Sequence, residues 1–60
     1  MNNILVTNAF DSGDDVMIFT EKFTAEQVEE KLRKKNVWFA DVIDVPKSEL
    51  QYYQYEPCWI

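Results

Sequence analysis

The sequence predicts a small α+β domain, an antiparallel sheet in the order ββαβ with a short final strand and one helix packed on one face. Three observations carry that expectation. Two strand-forming runs flank the single glycine, a capped amphipathic segment follows, and a third apolar run stops at Pro46. With one glycine and two prolines the punctuation is sparse, so each break is informative. The 60 residues read as a single domain, 1–60, with no linker, repeat or low-complexity stretch.

Residues 3–10 (Asn-Ile-Leu-Val-Thr-Asn-Ala-Phe) are rich in strand formers and too short for a free-standing helix. Asp11-Ser12-Gly13-Asp14-Asp15 is a turn, with Gly13 supplying a positive φ that other residues resist. Val16 to Glu21 resumes a strand, so the first third reads as a β-hairpin. The spacing then predicts a helix over 25–35. Thr24 and Gln27 fit a capping box, and Phe23 with Val28 fits a hydrophobic staple. Glutamates come early and Lys31, Arg33, Lys34 and Lys35 late, which complements the helix dipole. Glu29 with Arg33 and Glu30 with Lys34 stand four residues apart in the favourable order, and Asn36 is the stop.

Val37 to Val45 returns to strand composition. Alternation would set Trp38, Ala40 and Val42 on one face and Val37, Phe39 and Ile43 on the other, with Asp41 among them. Lys47 to Tyr52 suits a turn or short helix, with Ser48 and Gln51 as a second capping box. Residues 53–56 suit a fourth strand, and the tail from Pro57 to Ile60 is apolar. The helix offers only a narrow stripe of Ala25, Val28 and Leu32, while the strands are apolar on both faces. One sheet face therefore needs a second cover, either residues 46–60 folded back or another chain.

Composition excludes several kinds of chemistry. Without histidine and with one cysteine, no zinc site, imidazole-assisted nucleophile or intrachain disulfide is available. One glycine rules out a glycine-rich phosphate loop. The turn acids do not follow the spacing of a calcium loop, so neither metal nor cofactor is expected. Asp41 and Asp44 read as strand-edge and cap positions rather than a catalytic pair. No apolar run approaches the ~18 residues of a membrane span, no signal-peptide order is present, and a cytoplasmic setting is expected. The formal net charge of −5 disfavours direct contact with nucleic acid and favours basic partners.

Two sets of residues stand out as candidate contacts. Tyr52, Tyr53, Tyr55 and Trp59 crowd into eight residues and, with Trp38, supply the contact-rich side chains in which interfaces are enriched. Asp11, Asp14 and Asp15 in the turn, with Glu26, Glu29 and Glu30 on the helix, are candidates for an acidic surface. Cys58 reads as a small buried hydrophobe.

In size and composition over its whole length, the chain resembles the small, acidic, single-domain accessory proteins carried by bacteriophages. That resemblance implies an inhibitor or modulator that binds a host protein, sometimes by mimicking nucleic acid. The expected function is accordingly a non-enzymatic protein-binding module acting through an aromatic surface with acidic surroundings. The alternatives are an acidic nucleic-acid mimic in a basic groove and a structural homo-oligomer subunit. A two-fold homodimer is expected, because small domains without disulfides or metals are commonly secured by oligomerisation. Trp38, Tyr53, Tyr55 and Trp59 are placed at or near its interface.

Overall fold

The computed structural model describes residues 1–9 and 13–60, and the described residues form a four-stranded mixed sheet with one α-helix and one 3-10 helix. Strand β1 spans Asn2–Ala9, β2 Asp14–Thr20, helix α1 Ala25–Lys34, β3 Asp41–Asp44 and β4 Glu56–Trp59. The 3-10 helix spans Lys47–Tyr52, between β3 and β4. The expected strand end at Phe10 and the turn residues Asp11 and Ser12 lie outside the described residues.

The strand order is β3-β1-β2-β4, with the hairpin in the middle and the two short strands at the edges. β1 is antiparallel to both β2 and β3, as expected, but β4 runs parallel to β2. The expectation of an all-antiparallel sheet is corrected there. β2, β3 and β4 therefore share one direction. Leaving β3 at one edge, the chain crosses the whole sheet before it meets the free edge of β2, and a crossover returns it in its original direction.

The two crossovers use opposite faces. On one face Val28 of α1 packs with Ile4, Val6, Ala9 and Ile18, supported by Phe23, Ala25 and Leu32. On the other, Leu5, Met17, Phe19 and Val45 are covered by Ile43, Leu50, Tyr53 and Tyr55. Of the segment expected to fold back, 46–60, the part before β4 thus covers the second face, while Glu56–Trp59 joins the sheet as its edge. Tyr53 and Tyr55 belong to this packing, half-buried, rather than to an open aromatic surface.

β1 carries one more residue than β2 between the pairs Val6–Val16 and Ala9–Asp14. Asn8 takes up the extra residue at φ 50°, a left-handed conformation that asparagine tolerates. The bulge turns Ala9 onto the face of Ile4 and Val6. The Asp15 carboxylate accepts the Asn8 backbone N–H at 3.2 Å, which ties the bulge to the start of β2.

The helix begins and ends as its sequence predicts. The Thr24 hydroxyl accepts the Gln27 N–H at 3.2 Å and the Gln27 side chain accepts the Thr24 N–H at 2.9 Å, closing the capping box. At the other end Asn36 stands at φ 56°, with its N–H donated to the Arg33 carbonyl and that of Val37 to Leu32. Those two bonds form a Schellman cap. The cap consumes residues that alternation would have given to a strand, so β3 is confined to Asp41–Asp44 rather than 37–45. Phe39 and Val42 consequently share the helix-side face, against the expected alternation. Ser48 and Gln51 form no second capping box, because the 3-10 helix starts from Pro46 with no side-chain cap. The fourth strand is Glu56–Trp59 instead of 53–56, since Tyr53 and Tyr55 are spent covering the second face.

Both sheet edges are blunted. The Ile60 N–H donates to the Phe19 carbonyl at 3.1 Å, and in a parallel ladder this phase turns Glu56 and Cys58 toward β2 and Pro57 outward. Proline thus sits in the strand without costing a ladder bond. At the other edge the Val45 N–H donates to Asn3 at 2.8 Å, so Val42, three residues earlier, points its N–H away from β1. The Asp41 carboxylate accepts that N–H at 2.9 Å.

Candidate interaction surface

Phe19 organises the aromatic residues. Its side chain is buried on the second face of β2, where the parallel register sets it beside Trp59 of β4. The two rings stack with centroids 4.3 Å apart and planes 19° from parallel. Tyr55 meets the same ring edge-on at 5.9 Å and 62°. Phe19 is therefore a floor, with Tyr55 as its wall and Trp59 laid across it.

Trp59 leaves 66% of its surface exposed, with Met1 at 69% and Ile60 at 50%. With Phe19, Thr20, Glu21 and Lys22 they line a shallow depression of about 440 Å³ at the end of the sheet opposite the hairpin turn. Composition alone did not single out Met1 or Phe19. Phe19 was legible only as a strand residue, and Met1 carried no signal beyond its type. Both enter the surface through the register that aligns the start of β1 with the end of β2.

The other aromatic candidates lie apart. Trp38, 55% exposed, precedes β3 near Thr7 and so occupies the opposite edge and opposite end of the sheet from Trp59. It lines its own depression with Arg33, Asn36 and Phe39. Tyr52 is exposed at the end of the 3-10 helix. The five candidates do not form one surface.

Nor do the acidic candidates form one stripe. Asp14 and Asp15 sit at the hairpin end, where Ala9 pairs with Asp14, while Glu26 opens the helix at the other end, where Asn2 donates its side-chain N–H to the Phe23 carbonyl. Glu29 and Glu30 are paired with Arg33 and Lys34 at 3.8 and 3.0 Å, which offsets their charge. Asp11 lies outside the described residues. Asp14, Asp15 and Glu56 line a polar depression of about 420 Å³ with Gln54 and Tyr55. Among the described residues no cluster of three or more acidic, cysteine or histidine side chains is arranged to hold a metal ion.

Two of the late helix cations lie over aromatic rings. Lys31 lies 4.7 Å above the Phe23 ring and Arg33 5.6 Å from that of Phe39, extending the helix-side core outward. Cys58 is half-buried against the same core, as a small hydrophobe. Among the described residues no helix is long and apolar enough to cross a membrane. No protein-family model matches the chain, and no curated protein or solved structure matches it either.

Proposed function

We propose that this chain is a non-enzymatic protein-binding module whose contact surface is centred on Trp59. One observation carries the reading: a tryptophan stacked on a buried phenylalanine yet two-thirds exposed, with exposed Met1 and Ile60 beside it. A ring already held in place has little freedom to lose on binding, and tryptophan is enriched among residues that dominate interfaces. The resemblance to phage accessory proteins suggests a host protein as partner, inhibited or modulated by the contact. The single, half-buried cysteine suits a reducing compartment such as the cytoplasm.

The test compares immobilised wild type with Trp59→Ser, Trp38→Ser and Tyr52→Ser in capture from extracts of the native host. A partner lost with Trp59→Ser alone supports the reading. A partner kept by that variant and released by modest salt would instead favour the acidic nucleic-acid mimic, because exposed charge contacts are screened and apolar ones are not.

A further inference from the structure

We infer that the Trp59 end also pairs with a second copy of this chain about a two-fold axis, so that self-association masks the partner surface. The inference rests on the preceding reading that this end is a contact surface, and it names an occupant. Two observations favour a second copy.

The rim is the first. Glu21 and Lys22 are consecutive, exposed and of opposite sign, and both border the depression that Trp59 and Met1 line. In a two-fold contact each patch meets itself, and an axis passing between these two residues sets Glu21 of either copy against Lys22 of the other. The pairing is self-complementary without any further residue. The helix carries balanced charges too, but its Glu29 and Glu30 are already paired with Arg33 and Lys34 within the chain. The second is the state of the edges. Pro57 and Asp41 blunt β4 and β3, which disfavours association by extending the sheet and leaves the apolar end as the route. Area limits the strength of the pairing. A standard interface takes ~800 Å² from each partner, close to a fifth of the 4336 Å² this chain exposes, and three side chains do not supply that. The pairing is therefore weak and reversible, as masking requires.

Sedimentation equilibrium on the full chain, from micromolar to millimolar concentration at low salt, tests the inference. Wild type should move from 7.2 kDa toward twice that mass as concentration rises. Glu21→Lys should weaken the dimer roughly three- to tenfold, because two like-charged pairs replace two opposite ones. That direction is diagnostic, since the variant reduces the magnitude of the net negative charge and would otherwise strengthen association. The double variant Glu21→Lys/Lys22→Glu should restore the wild-type constant. Trp59→Ala should weaken the dimer more than tenfold, and the rim variants keep the test open if that variant fails to fold.

A 7.2 kDa species at every concentration overturns the inference, as does a Glu21→Lys dimer as strong as wild type. Either result leaves the capture experiment intact. Loss of a host partner with Trp59→Ser alongside a strictly monomeric chain would refute self-pairing and keep the binding module.

Discussion

Phe19 and Trp59 are register partners on neighbouring parallel strands, and their rings stack 4.3 Å apart although 40 positions separate them in sequence. This contact fastens β4, the last element, to the centre of the sheet. It also leaves one face of the indole open. The same residue thus closes the fold and presents the candidate surface.

Trp59→Ala should lower stability by about 1–2 kcal/mol, combining the loss of a stacked pair with that of partly buried area. Trp38→Ala, on an exposed loop without a stacked partner ring among the described residues, should stay within about 0.5 kcal/mol of wild type. Urea unfolding of the two variants side by side measures the contrast. Equal effects would mean that β4 is anchored by its backbone alone.

Thr24→Ala removes the acceptor for the Gln27 N–H and should cost about 1 kcal/mol. Thr24→Ser keeps the hydroxyl and should restore most of that loss. The readout is the denaturation midpoint, and an unchanged midpoint for Thr24→Ala would show the cap to be dispensable.

Gly13 lies at φ 79°, and a Cβ built there meets nothing within 4 Å. Its substitution cost is therefore backbone strain rather than crowding. Gly13→Ala should destabilise by about 1 kcal/mol or more. Gly13→Asn should cost less, since asparagine tolerates the left-handed region. Thermal melts of the pair resolve the difference.

The blunted edges call for a different measurement. Asp41→Ala uncovers the Val42 N–H and Pro57→Ala adds a donor pointing away from β2. Neither should move stability by more than about 0.5 kcal/mol, yet the double variant should aggregate faster than wild type. Light scattering during prolonged incubation reports it. A double variant as soluble as the parent would show that the edges are protected by something other than these two residues.

Leu50 holds the 3-10 helix against the second face. Leu50→Ala should cost about 1–2 kcal/mol, below the 2–5 typical of a fully buried leucine, because the side chain is only half-buried. Hydrogen exchange should rise at Leu5 and Met17 beneath it. Exchange confined to the 3-10 helix would mean that the crossover is an independent flap.

What the sequence by itself determined is local. The capping box of Thr24 and Gln27, the left-handed stop at Asn36, the turn glycine at 13 and the ion pairs on the helix all join residues within five positions. Such interactions depend on covalent spacing, which a sequence displays directly. Tertiary structure decided the rest. Whether Tyr53 and Tyr55 were core or surface turned on which way residues 46–60 crossed the sheet. Both outcomes share one composition. The place of β4 followed from the hairpin edge that β3 left free, and its direction from the crossover of residues 46–55 over the second face. Its register set Trp59 on Phe19, and the strand order separated Trp59 from Trp38. A strand's pattern tells which of its faces is apolar; the neighbour it meets, and in what phase, is set by pairing between segments far apart in the chain.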